Sequence, residues 1–222
     1  MPRKRTASAR TPLSRDRVVD AAVGLADADG LPAVSMRAVA ARLGVEAMSL
    51  YNHVAGREGL LDGMVDRVFS EIELPDPATP WREAMQARAH SARAALRRHP
   101  WAVTLMDTRS HPGRATLRHH DAVLGSLRCN GFSVRMAARA MSLIDSYVYG
   151  FVLQDIGLPF SDADELEGVA AGMMQDMDLA SLPYLVELMT EHALQPGYDY
   201  AAEFDHGLDL VLGALSPDEV TS

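Results

Sequence analysis

Apolar residues along this chain recur at intervals of three and four, and the alternation that builds strands is scarce, so the pattern predicts an all-α protein. Ser14 is placed to cap a first helix, with Asp16 in its first turn. Val18, Val19, Ala22, Val23 and Leu25 mark its buried stripe, and Gly30 marks its end. Ser35 caps a second helix whose Met36, Val39, Ala40 and Leu43 face inward, and Gly44 breaks it. A short third helix is expected from about Glu46 to His53, and a long fourth over residues 57–74. Further on, "WREAMQARAHSARAALRRH" reads as a helix of about five turns closed by Pro100. A short apolar helix or turn follows at 101–108, then the helical patterns "GRATLRHHDAVLGSLRCN" and "SVRMAARAMSLIDSYVYGFVLQDIG", the second being the longest and most apolar. Residues 161–178 are acidic and Met-rich and read as a mobile segment. Two helices end the chain, from about Ser181 to His192 and from about Asp199 to Leu215.

The Pro-rich "PDPATP" at 75–80 is the best boundary between domains. Residues 1–12 are expected to be a disordered basic arm, residues 13–58 an N-terminal three-helix domain, 57–74 a linker helix, and 75–222 a larger helical domain.

Hydrophobic content of 48% and charged content of 23% are ordinary for a globular protein with a sizeable core. A single cysteine, Cys129, rules out an internal disulfide and makes a reducing, cytoplasmic compartment the natural expectation. No apolar run approaches the roughly 20 residues needed to cross a bilayer, so no membrane partner is expected. The net charge of −9 argues against a polyanionic partner, but its distribution reverses that reading. Residues 1–57 carry nine Lys or Arg against five Asp or Glu, whereas the remainder carries 12 against 25. A basic front on an acidic body is expected where one end meets nucleic acid.

A helix, a tight glycine turn and a short second helix make a helix-turn-helix, whose second helix enters the DNA major groove. On that reading Ala47, Met48 and Ser49 are small or apolar enough to approach base edges, and Glu46 could accept from a cytosine amino group. Tyr51, Asn52 and His53 have the polar reach for the duplex, with Tyr51 and His53 suited to phosphates. Ser35, Arg37 and Arg57 are further candidates.

The stretch "LSRDRVVDAAVGLADADGLPAVSMRAVAARLGVEAMSLYNHVAGREGLLDGMVD" resembles the TetR family of bacterial repressors. Its marks are the Ala-Ala pair, the Asp-Gly that ends the first helix, "SMRAVAARLGV", "SLYNHV" and a basic residue followed by Glu-x-Leu-Leu. The resemblance implies a DNA-binding head and a larger helical domain that dimerises and binds a small effector, whose binding swings the two heads apart. The region "DTRSHPGRATLRHHDAVLGSLRCNGFSVRMAARAMSLIDSYVYGFVLQD" is similar, more weakly, to the tetracycline repressor itself. Where that repressor has a metal-coordinating histidine this chain has Leu105, and where it has an acidic pair after Val-Leu this chain has Gln154 and Asp155. No metal or other cofactor is therefore expected.

The implied effector pocket has Met85, His90, Trp101, Leu105, Met106, Tyr147 and Phe151 as candidate lining, an apolar set with a few polar groups. A homodimer would place two heads on a palindromic double-stranded operator. Its four-helix interface is expected from the last long helices, through Met141, Val148, Phe204, Leu208, Val211, Leu212 and Leu215.

Catalytic residues are not expected: "GFSVR" lacks the second glycine of a nucleophile elbow, and no glycine loop cradles phosphate. His119 and His120 are adjacent and so point apart on a helix, while His111 and His119 are eight apart, neither being a two-histidine metal spacing. Met173, Met174 and Met177 are more readily flexible apolar filler than a copper site, since no cysteine accompanies them. The reading that results is a ligand-responsive repressor. Two alternatives are a DNA binder without effector, activating or nucleoid-type, and a helical carrier or enzyme that has lost DNA binding.

Overall fold

The computed structural model describes residues 12–106, 108–160, 163–176 and 179–218, all of whose regular elements are helical. The basic arm, apart from Pro12, lies outside the described residues, as does Met177. Three helices form the head: α1 (Arg15–Asp29), α2 (Met36–Leu43) and α3 (Ala47–Leu50). α4 (Gly56–Phe69) joins it to a body made of α5 (Trp81–Arg98), α6 (Arg114–Cys129), α7 (Val134–Asp155), α8 (Ala163–Asp176), α9 (Pro183–Leu188) and α10 (Tyr200–Gly213).

Local chemistry sets most of the boundaries. Ser14, Ser35 and Ser133 accept hydrogen bonds from the backbone N–H groups of Arg17, Ala38 and Met136, which caps α1, α2 and α7. α2 ends in a Schellman arrangement: Gly44 takes the left-handed conformation, its N–H donates to Ala41, and the N–H of Val45 donates to Ala40. A Cβ at Gly44 would meet nothing within 4 Å, so its restraint is conformational alone (φ +66).

Three elements differ from their expected extents. α3 is a single turn ending at Leu50. Tyr51, Asn52 and His53 continue it as turns, because buried Val54 and the positive φ of Gly56 bend the chain into α4. α4 stops at Phe69 rather than near 74. The Ser70 hydroxyl donates to the Arg67 carbonyl at 2.6 Å, diverting the helix terminus, and Glu71 N–H bonds Val68 three residues back. Most of the segment expected to be mobile is helical as α8, with Leu166, Val169 and Ala170 at helical spacing turned toward the protein and Ala170 buried.

Among the described residues one hydrophobic core runs from Val18, Val39 and Leu50 in the head through Leu60, Met64 and Val68 of α4 to Met85, Ile144 and Leu208 in the body. α1 packs on α4 at Gly63, where a Cβ would come within 2.7 Å of Val19 Cγ2. α10 packs on α7 at Gly207, where a Cβ would lie 2.8 Å from ring atoms of Tyr147. Gly207→Ala should therefore force the Tyr147 ring aside and destabilise the protein by about 1–3 kcal/mol, measured by urea unfolding.

The expected dimer stripe is corrected by this packing. Val148, Phe204, Leu208, Leu212 and Leu215 are buried inside the protomer, where they bind α10 to its own neighbours; Met141 and Val211 are half-buried against the same core. The large apolar side chains that α7 and α10 leave exposed are instead Val134, Leu143, Leu153 and Leu210. No helix among the described residues is long and apolar enough to cross a membrane.

Candidate DNA-binding head and effector domain

In the head, Leu50 is fully buried and fixes α3, while Met48 is 74% and Tyr51 51% exposed. An exposed methionine beside an exposed tyrosine, on a one-turn helix held by its single leucine, is costly for a surface without a partner. Glu46, Asn52, Arg37 and Arg57 are exposed too, and Ser49 and His53 are partly so. Arg57 approaches Glu58 only to 4.0 Å and remains available to solvent. Ser35 is exposed, with its hydroxyl already accepting from Ala38 N–H at 3.1 Å. Ala47 is half-buried against the core, so it spaces α3 from its neighbours as much as it offers a methyl group outward.

Charged groups tie α4 to both sides. Toward the head, Arg67 Nε donates to Asp20 Oδ1 at 3.1 Å. Toward the body, Asp66 Oδ1 accepts from the backbone N–H and the hydroxyl of Thr116, at 2.8 and 3.0 Å. Arg109 donates to both Asp62 and Glu58 at 2.7 Å. The hydrogen bond from Arg109, with its charge, holds the Glu58 carboxyl below the usual glutamate range. A second junction joins α1 to the end of α5. His99 Nδ1 lies 2.7 Å from Asp27 and Nε2 3.3 Å from Glu71, while Trp101 Nε1 donates to the same Asp27 oxygen at 2.7 Å. Burial disfavours a charged Glu71, but the hydrogen bonds from Arg98 and His99 outweigh it and keep its carboxyl below the usual range.

The seven proposed pocket residues do not gather around one cavity. Tyr147 and Phe151 join Phe204 and Tyr200 in an aromatic cluster between α7 and α10, with the Arg93 guanidinium 4.6 Å from the Phe204 ring centre. His90 stands at its edge, exposed, 3.3 Å from Asp205 and against Phe204. Trp101 belongs to the head junction, Met85 is fully buried core, and Leu105 is half-buried. Met106 lines a small cavity of about 180 Å³ with Arg109, Thr116 and His120.

The body's polar centre lies elsewhere. Arg88 of α5 is 1% exposed; its Nη2 lies 2.5 Å from Asp145 Oδ1 of α7, and its Nε donates to His119 Nε2 of α6 at 3.1 Å. Arg88 occupies an apolar face, with Ala84, Met85, Ala89 and Ala92 around it in sequence, and that was the one signal that could have found it. Burial first, then the charges of Arg88 and His120, pushes the His119 ring down to about 3, so it is neutral and can accept from Arg88. The unfolded chain protonates this histidine near its ordinary 6.5, while the folded protein resists to about 3. Between those values the unfolded state binds more protons, so stability should fall as pH drops below about 6.5, by at most about 1.4 kcal/mol per unit from this group. Urea unfolding of wild type and His119→Gln at pH 7 and pH 5 should show a smaller loss for the variant.

Comparison with known proteins agrees with this architecture. The family described as "Bacterial regulatory proteins, tetR family" matches residues 18–64, and that described as "Tetracyclin repressor-like, C-terminal domain" matches residues 74–216. The transcriptional repressor DrrR1 of Streptomyces coeruleorubidus is 35% identical over 213 residues, covering 91% of this chain and 77% of that one. An HTH-type transcriptional regulator of Saccharopolyspora erythraea is 31% identical over 205 residues, covering 92% of this chain and 85% of the relative. Among solved structures, Streptomyces coelicolor ActR in complex with (S)-DNPA superposes with a TM-score of 0.75 at 30% identity, over 91% of this chain and 96% of that one. A one-turn helix on a three-helix head, joined by an ion-paired helix to a helical body, thus belongs to a chain that is a member of the TetR family of bacterial transcriptional regulators.

Proposed function

We propose that this chain acts as a homodimeric, ligand-responsive repressor that binds a palindromic operator through α3 and releases it when a small molecule occupies the body. The observation that carries the reading is the exposure of Met48 and Tyr51 on a head whose linking helix is hydrogen-bonded to the body at Asp66, Asp62 and Glu58. Ser35, Arg37, Tyr51, Asn52, His53 and Arg57 would hold phosphates, and Glu46, Met48 and Ser49, with Ala47 beneath, would meet bases. Arg109 and Thr116 line the cavity that Met106 also lines, so a ligand there would pull on α4 through the carboxylates they hold. The switch is a difference in ligand affinity between head spacings that fit the operator and spacings that do not. The ActR structures with (S)-DNPA and with actinorhodin support a small-molecule effector for this body as well.

Dimerisation would use the outward faces of α7 and α10, where Leu143, Leu153 and Leu210 are exposed. Leu210→Glu, at a position 64% exposed, should convert the dimer to monomer in sedimentation velocity and leave the helical content unchanged. An unchanged dimer would move the interface elsewhere. The function itself is tested by titrating purified protein onto the DNA upstream of its own gene and its neighbours, at two salt concentrations, against scrambled competitor. Competitor-resistant binding that weakens with salt supports it. Equal loss to competitor would leave a basic front that attracts DNA with no operator there and would sink the repressor reading.

A further inference from the structure

His99 closes α5 and is 7% exposed, yet both of its ring nitrogens face carboxylates on other elements. Nδ1 lies 2.7 Å from Asp27 Oδ1 in the last turn of α1, and Nε2 lies 3.3 Å from Glu71 Oε2 in the chain after α4. Pro100 contributes to this placement: a residue before proline avoids the α conformation, and His99 leaves the helix at φ −125 and ψ 64. Trp101 packs its ring beside the imidazole and donates to the same Asp27 oxygen. Three stretches distant along the chain thus meet on one histidine at the seam between head and body.

A neutral imidazole donates from one nitrogen and presents a lone pair at the other. Here a lone pair on either side would point at a carboxylate oxygen and be repelled. The imidazolium donates from both nitrogens and satisfies both acceptors. The charges that meet the ring agree. Asp27 comes from α1, Glu71 from the chain after α4, and Arg98 of α5 donates to the same Glu71 oxygen at 2.9 Å. Two carboxylates against one guanidinium leave a negative charge that a protonated His99 cancels. The other ties of α4, Arg67 with Asp20 and Arg109 with Asp62 and Glu58, use side chain types that keep their charge near neutral pH, whereas histidine changes its charge there.

We propose that His99 is a proton-operated clasp between head and body. With both nitrogens protonated it ties α1 to the chain after α4 and to the end of α5. When a proton leaves, one arm lets go and the head is held less firmly. The closed junction keeps a proton that the open one releases, so the junction tightens toward about pH 6 and loosens toward about pH 8. Glu71, held below the usual glutamate range, stays ionised throughout. His119 at the body's centre acts in the opposite direction, since protonating it opposes the fold. A junction that loosens as pH rises is therefore not a by-product of overall stability. The clasp itself stands on geometry; its effect on DNA rests on the repressor reading above, in which operator fit depends on how the heads are spaced. There a proton becomes a second input beside the effector.

The test follows the junction in full-length protein, by amide hydrogen exchange and mass spectrometry at pH 6 and pH 8. Rates for the peptides that contain Asp27 and Glu71 are divided by those of the unfolded peptides at the same pH. Wild type should be protected about threefold or more strongly at pH 6 than at pH 8. His99→Gln, whose amide donates at one end, should show the weaker protection at both. Glu71→Gln leaves His99 and Asp27 in place and offers an N–H to the neutral ring's Nε2, so it should show the stronger protection at both. Equal protection of wild type at the two pH values, stronger protection at pH 8, or a pH dependence that survives in both variants would each overturn the proposal. Operator binding is then measured in a His53→Gln background, because His53 is itself a histidine among the candidate phosphate contacts. Affinity should differ between pH 6 and pH 8 with Glu71 present and be level with Glu71→Gln. Level affinity with a responsive junction would overturn the coupling to DNA, and absence of operator binding would remove the repressor reading while exchange still decides the clasp.

Discussion

Tyr51→Ala should lower operator affinity about a hundredfold while leaving the fold intact. Its ring is half exposed just past α3. Little of the protein's own stability depends on that ring, so the loss falls on binding. One contact to DNA contributes about 1–3 kcal/mol, and in a two-fold complex each substitution removes two. Tyr51→Phe divides the effect: loss of most of the affinity assigns it to the hydroxyl, and retention assigns it to ring packing. Leu50→Ala, one residue earlier, should do the opposite. Leu50 is fully buried, and truncation should cost the head about 2–5 kcal/mol of stability. Fluorescence anisotropy with labelled operator, beside urea unfolding of each variant, checks the pair. Unchanged affinity for Tyr51→Ala would mean that α3 is not the DNA-reading element.

The second large effect is in the body. Arg88→Met should destabilise the protein by about 3–5 kcal/mol, because it strips a buried carboxylate of its guanidinium and His119 of its donor. Arg88→Met with Asp145→Leu should recover most of that loss, since well-packed apolar side chains replace a buried ion pair at little cost. A double-mutant cycle by urea unfolding isolates the coupling. If Arg88→Met alone is as stable as wild type, the pair does not hold α5 to α7.

What the sequence made legible was local. Ser14, Ser35 and Ser133 mark helix starts and Gly44 a helix stop because capping and left-handed turns are decided within four or five residues. The head was readable for the same reason: its motif is contiguous, and a short helix between Gly44 and Gly56 with polar side chains at its end has few structural uses. The length of α3 was misjudged by a turn, because the bend after Leu50 depends on Val54 reaching the core.

Faces and partners were another matter. Phe204, Leu208 and Leu212 form a stripe at helical spacing, and spacing says only that a face is buried. It is silent about whether the cover comes from the same chain or a second copy, and here α7 and other helices of the same protomer supply it. Likewise Met85, Trp101 and Tyr147 share an apolar character but sit in three different surroundings. The ties that join head to body, Asp66 with Thr116 and His99 with Asp27, link residues 50 and 72 positions apart. The chain by itself thus determined that the protein is helical, where its helices begin, and that a basic head precedes an acidic body, since periodicity, caps and charge are written along it. Only the tertiary structure decided that Arg88, His119 and Asp145 meet in one buried centre, because three helices must pack before residues so distant along the chain can share a hydrogen bond.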